Sequence, residues 1–204
     1  MHIAIAGNIG AGKTSLAELL SKHYKWEANF EDVIDNPYLD DFYMHMERWS
    51  FNLQVYFLNS RFRQLMNFNG SNKSVVQDRT VYEDAYIFAP NLHAMGLMNH
   101  RDFNNYQSLF ELMESMIKAP DLLIYLRSSI PNLVNKIHKR GRQYENSISI
   151  EYLNRLNERY EAWISTYDNG KLLIVDVDNL DFVDNKEDLG LIIEKVDAEL
   201  NGLF

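Results

Sequence analysis

The sequence predicts an α/β fold in which a parallel, five-stranded sheet is covered by helices. Two observations carry this expectation. Short apolar runs of strand length alternate along the chain with longer segments of helical period, the pattern of a parallel sheet buried on both faces. The first of these runs passes through a Gly-rich turn directly into a helix. No repeat, low-complexity tract or Pro/Gly/Ser-rich linker interrupts the alternation, so residues 1–204 are expected to form one domain.

His2-Ile3-Ala4-Ile5-Ala6 reads as a short buried strand, followed by a helix from about Lys13 to His23. Trp26 to Phe30 is a second strand, and Asn36-Pro37 marks the loop after it. Asp40 to about Asn67 is aromatic-rich and helical in period, with Phe42, Met46, Trp49, Leu53, Tyr56, Phe57 and Phe68 recurring near one face. After the turn at Asn69-Gly70-Ser71-Asn72, Ser74 to Gln77 forms a third strand and helices fill Val81 to Lys118. Leu122 to Leu126 is the fourth strand. Helices then start at Pro131 and span Ser149 to Tyr167. Leu172 to Val177 is the fifth strand and Leu189 to Leu200 a closing helix.

Composition narrows the function classes. Hydrophobic residues make up 46% of the 204 and charged residues 24%, which rules out wholesale disorder. A formal charge of −9 argues against a nucleic acid polymer as partner, while leaving room for a local cationic pocket that holds a small phosphate. Without cysteine there is no disulfide, Cys-ligated zinc, Fe–S cluster or Cys nucleophile, which fits a cytoplasmic location. No apolar run reaches the ~18 residues of a membrane span, and strand-like sequence from His2 leaves no place for a signal peptide. The six histidines show no metal-ligand spacing.

Gly7-Asn8-Ile9-Gly10-Ala11-Gly12-Lys13-Thr14 fits G-x-x-x-x-G-K-[ST] between a strand and a helix. The glycines let backbone N–H groups turn around a phosphate, and the helix that follows points its positive end at the same anion. Lys13 would reach the terminal phosphates and the Thr14 hydroxyl would ligate Mg²⁺. At average residue frequencies the pattern arises by chance in roughly one such chain in a few hundred. The loop therefore indicates a nucleoside triphosphate and leaves the acceptor open.

Loops at strand carboxyl ends overlie the crevice of such a sheet. Phe30-Glu31-Asp32-Val33-Ile34-Asp35-Asn36-Pro37 follows the second strand, and a carboxylate there would accept the proton of an attacking hydroxyl, or else belong to a solvated acidic loop. Asp78 and Arg79 end the third strand. Asp78 stands where such proteins carry an acid for Mg²⁺, and Arg79 would orient Glu31 and the acceptor oxygen, unless the two form an ordinary surface pair.

With these residues assembled, the chain resembles the deoxynucleoside kinases, especially the bacterial deoxyadenosine/deoxyguanosine kinases. The blocks that carry the resemblance are Gly7–Thr14, Phe30-Glu31 with Asn36-Pro37, Arg48-Trp49-Ser50-Phe51 running to Gln54 and Arg61, and Asp78-Arg79-Thr80-Val81-Tyr82-Glu83-Asp84. A fifth is Lys139-Arg140-Gly141-Arg142 with Ile150-Glu151-Tyr152-Leu153. The resemblance runs from Met1 to about Tyr167 and implies a P-loop kinase fold. It further implies ATP- and Mg²⁺-dependent phosphorylation of the 5′-hydroxyl of a 2′-deoxynucleoside in nucleotide salvage, by a homodimer.

On the resemblance, Glu31 is the general base, Arg79 holds it and the reacting oxygen, and Lys13 serves the transferring phosphate. ATP is held by Gly7, Asn8, Ile9, Gly10, Ala11, Gly12, Lys13, Thr14 and Ser15, with Lys136, Arg140 and Arg142 as cations of a lid over about 136–148. Thr14 and Asp78 hold the metal. Gln54 reads the base edge, Phe88 stacks on the base, Arg61 and Asp84 form a charged wall beside it, and Tyr43 and Glu151 bond the sugar 3′-hydroxyl.

From the residues alone, Phe88 and Tyr43 also fit a core role, Gln54 an interhelical bond, and the lid cations a helix C-terminus. The chain departs from relatives at Asp32, where many carry Pro, and at Lys136, where Arg is common. By the resemblance, retention of Arg61 and Asp84 together with the Asn36-Pro37 form of the base loop implies a deoxypurine acceptor, with deoxyadenosine first, then deoxyguanosine or deoxycytidine. A nucleoside monophosphate kinase and a non-catalytic nucleotide-binding regulator remain as alternatives.

Overall fold

β1 (His2–Gly7) is buried along its whole length at the centre of the sheet, because each of its faces is apolar. The computed structural model describes residues 1–30, 36–68 and 73–202. The five strands among these are all parallel, in the order β2 (Glu27–Asn29), β3 (Val75–Asp78), β1, β4 (Leu122–Arg127), β5 (Lys171–Asp176). Ile5 sits opposite Asp78 on one side, and Gly7 opposite Leu126 on the other.

Side-chain alternation along β1 divides the core in two. Ile3 and Ile5 join Leu16 and Leu20 of α1 (Lys13–Tyr24), Leu133 of α7 (Ile130–Arg140) and Ile192 of α9 (Lys186–Asn201). Ala4 and Ala6 face the other cluster, with Leu53 and Phe57 of α3 (Met46–Phe68), Leu92 of α5 (Ala89–Ala94), Tyr106 of α6 (His100–Glu114) and Tyr160 of α8 (Ile150–Ser165). The chain therefore leaves β1 across one face of the sheet and its neighbour β3 across the other. That divergence opens a crevice at their carboxyl ends. No described helix is long and apolar enough to cross a membrane.

The strands and the helices of the second half begin and end within a few residues of the predicted positions. Two features differ. The helix expected over Asp40–Asn67 is two helices, α2 (Leu39–Met44) and α3, separated at His45, where the backbone leaves the helical region (φ −142°, ψ 68°). The apolar period runs through this break, so the sequence carries no stop signal. Packing of α2 against α3, which buries Leu39 and Phe42, imposes the break. The second feature follows α4 (Val81–Glu83): Asp84–Phe88 forms a turn of π-helix before α5, a widening common at functional sites.

Candidate active site

A cavity of about 700 Å³ lies at the carboxyl ends of β1 and β3. One end is the phosphate loop. Gly10 (φ 87°) and Gly12 (φ 100°) are both in the left-handed region. A Cβ on Gly10 would lie 2.9 Å from the Leu133 carbonyl oxygen, and one on Gly12 2.9 Å from Cζ of Phe182. Both positions thus require glycine for conformation and for space. Gly12 is also the N-cap of α1 and has no side chain to cover the first-turn N–H groups, which remain available to an anion.

Lys13 Nζ donates to the carbonyl oxygens of Gly7 and Asn8 at 2.8 and 3.0 Å, so the loop holds its own cation at the cavity wall. Ile9, Gly10, Thr14 and Ser15 line the cavity as well. Asn8 is an anchor: its Nδ2 donates to the Leu153 carbonyl and to Asn157 Oδ1, tying the loop to α8.

Thr14 Oγ1 donates to Asp78 Oδ2 at 2.5 Å. The other carboxylate oxygen, Asp78 Oδ1, is buried with no hydrogen-bond partner among the described residues. An unpartnered carboxylate oxygen beside a hydroxyl is a hard-donor pair that fits Mg²⁺. No group of three or more His, Asp or Glu that would hold a metal by itself exists among the described residues, so phosphate and water would supply the other ligands.

Arg79 follows directly, in the left-handed conformation (φ 71°) that a non-glycine residue seldom adopts. Its guanidinium lies 4.4 Å from the Phe88 ring centroid, and both residues line the cavity. Glu31, the expected base, lies outside the described residues; Phe30 beside it lines the cavity.

The other end of the cavity is aromatic and carries buried polar groups. Gln54 of α3 lines it between Leu53 and Phe57, and its Oε1 is buried without a partner among the described residues. Asp84 and Phe88 both reach it from the π turn. Arg61 stands behind Asp84 rather than on the cavity surface, with Nη1 donating to Asp84 Oδ2 at 2.5 Å and the guanidinium over the Phe57 ring. Tyr43 lines the cavity and stacks on Tyr144, with centroids 5.4 Å apart.

The last turns of α7 and the residues after it bring cations to the cavity. Lys136, Arg140 and Arg142 all line the cavity. Burial lowers the Lys136 ammonium below its ordinary pKa, against the opposing pull of Asp178 and Asp181. Arg140 forms a two-pronged pair with the buried Glu145, at 3.0 and 2.5 Å, and Arg142 lies 3.7 Å from the same carboxylate.

Glu151, expected on the sugar, is not at the cavity. It sits in the exposed first turn of α8 and pairs with Arg155 one turn on, since helical spacing turns both outward. The carboxylate that this stretch brings to the cavity is Glu145. Sequence reasoning missed it although it stands three residues after Arg142, and it also missed Tyr144 and Phe182, neither of which belongs to a motif.

A family description, "Deoxynucleoside kinase", matches residues 3–201. The deoxyadenosine/deoxycytidine kinase of Bacillus subtilis (strain 168) is 38% identical over 95% of this chain and 90% of its own length. The deoxyguanosine kinase of the same organism is 36% identical over 95% of each chain. The structure of deoxyadenosine kinase from M. mycoides with bound dATP superposes with a TM-score of 0.85 at 32% identity, covering 97% of this chain and all of that one. Likeness of this extent spans nearly the whole chain, and the chain belongs to the deoxynucleoside kinase family.

Proposed function

We propose that this chain transfers the γ-phosphoryl group of ATP to the 5′-hydroxyl of a 2′-deoxynucleoside in nucleotide salvage, with deoxyadenosine the preferred acceptor, then deoxyguanosine or deoxycytidine. The carrying observation is the unpartnered Gln54 Oε1 in a cavity whose other end is the phosphate loop. A buried acceptor needs a donor. The adenine 6-amino group supplies one while N1 accepts from Gln54 Nε2, and cytosine offers the same pair; the thymine and guanine ring nitrogens are donors and call for the reversed amide, and thymine adds a methyl group that meets the Arg61–Asp84 wall.

In this reading residues 1–204 act as one kinase domain with a lid over about 136–148. The nucleoside oxygen forms a bond to the γ-phosphorus as the bond to the ADP leaving oxygen breaks, and Glu31 takes the hydroxyl proton. Arg79 orients the reacting oxygen, and Lys13, Lys136, Arg140 and Arg142 face the transferring charge. Tyr43 and Glu145, which both line the cavity, would bond the sugar hydroxyl, the latter in the role first expected of Glu151. Thr14 and Asp78 would hold Mg²⁺, whose chemistry there would be to neutralise phosphate charge. A homodimer through helices outside the sheet is supported by α3 and α6, which pack together and expose Met66 and Leu112, with Met116 exposed just beyond α6.

The test offers the four natural deoxynucleosides and their monophosphates as acceptors with ATP and Mg²⁺. Deoxyadenosine should give the highest kcat/KM, thymidine a poor one, and the monophosphates no ADP. ADP formed only with monophosphates would make the protein a nucleoside monophosphate kinase, and none with any acceptor would make it a regulator. In the same assay Asp78→Asn should raise the Mg²⁺ concentration for half-maximal activity about 10-fold or more, because the orphaned oxygen loses its charge. An unchanged Mg²⁺ titration would remove Asp78 from the metal site.

A further inference from the structure

Glu83 is fully buried, lines no part of the cavity, and is used by none of the steps above. It begins as half of an ordinary device. Thr80 is the N-cap of α4, its hydroxyl accepts from Glu83 N–H at 3.4 Å, and Glu83 Oε2 accepts from Thr80 N–H at 2.7 Å, a capping box. A capping box needs only one carboxylate oxygen. Here the second, Oε1, leaves the helix altogether. It accepts from the Tyr160 hydroxyl of α8 at 2.7 Å and from the Gly7 N–H of the phosphate loop at 3.3 Å. Burial, with the Glu83 charge next, raises the Tyr160 pKa well above its ordinary value, so that hydroxyl stays a donor.

The two backbone groups that Glu83 joins are each adjacent to a residue that handles charge in the reaction. Thr80 N–H belongs to the peptide that follows Arg79. The N–H of Arg79 itself donates to Ile5 of β1 at 3.0 Å, so bonds on both sides hold its left-handed backbone. Gly7 offers its N–H to Glu83 and its carbonyl oxygen to Lys13 Nζ at 2.8 Å. A continuous path therefore runs from the Lys13 ammonium through Gly7 and the Glu83 carboxylate to the Arg79 turn.

We infer that Glu83 is a positioning residue for phosphoryl transfer: a buried carboxylate that fixes the Lys13-bearing loop and Arg79 relative to each other without touching substrate. This rests on the reading of Lys13 and Arg79 under the proposed function. Phosphoryl transfer is carried by placement of charge, and a displacement near 1 Å at such a site costs about 10²-fold.

The experiment compares Glu83→Gln, Arg79→Ala and the double variant with wild type, with ATP, Mg²⁺ and deoxyadenosine. Gln keeps the size but turns an N–H group toward one of the two backbone amides, so one tie must break. Glu83→Gln should lower kcat by roughly 10–100-fold while the KM values for both substrates stay within about 3-fold. In the Arg79→Ala background the same change should cost less than about 3-fold, since its effect passes through Arg79. Should Glu83→Gln not fold, Glu83→Asp, which keeps the charge and withdraws it by one methylene, is held to the same expectations. A kcat within about 2-fold of wild type, a loss that resides in KM, or full additivity with Arg79→Ala overturns the inference. Full activity of Arg79→Ala would instead overturn the reading of the site on which it rests.

Discussion

Replacing Lys13 with alanine should lower kcat by roughly 10³-fold or more, the range seen when a preorganised charge is removed from a phosphoryl-transfer site. The Lys13 ammonium lies at the cavity wall, and the Gly7 and Asn8 carbonyls fix its position there. The loop keeps its shape through Asn8, Leu153 and Asn157, and through glycines fitted against α7 and Phe182. The melting temperature should therefore stay within a few degrees of wild type. Steady-state ADP release and thermal unfolding measured on the same preparation check both halves. Turnover near wild type would end the assignment of the loop to ATP.

The second large effect is on the acceptor base. Arg61 and Asp84 form a charged pair with both side chains almost fully buried, and Asp84 faces the cavity beside Gln54. Burial, then the Asp84 charge, raises the pKa of the neighbouring Tyr106 hydroxyl well above normal, with Arg61 opposing, which keeps that side of the pair neutral. Arg61→Met together with Asp84→Ala replaces the wall by space and apolar surface, room for the thymine methyl group. The ratio of kcat/KM for thymidine to that for deoxyadenosine should rise on the order of 10²-fold, within the range that buried polar mismatches command. Asp84→Ala alone should change the ratio far less and destabilise the fold by about 3–5 kcal/mol, because it strands the Arg61 charge in the core. An unchanged ratio in the double variant would remove the pair from base selection.

The parts of this protein that were legible in its sequence are those set by neighbours along the chain. The phosphate loop is one, since its glycines, lysine and threonine act within one turn and its strand–turn–helix context is local. The parallel sheet is another, because a strand buried on both faces has an apolar signature wherever it lies. Contacts between residues far apart in the chain left no such mark. Nothing local distinguishes Glu145 from Glu151, and only the fold turns one to the cavity and the other to Arg155. Phe182 gains its place by closing against Gly12, and the break at His45 follows from packing α2 on α3. Glu83 looks like a capping residue until the sheet brings Gly7 to it and α8 brings Tyr160. Periodicity and propensity report the energy of a few successive residues, whereas a buried carboxylate is stabilised by donors that only tertiary packing can gather.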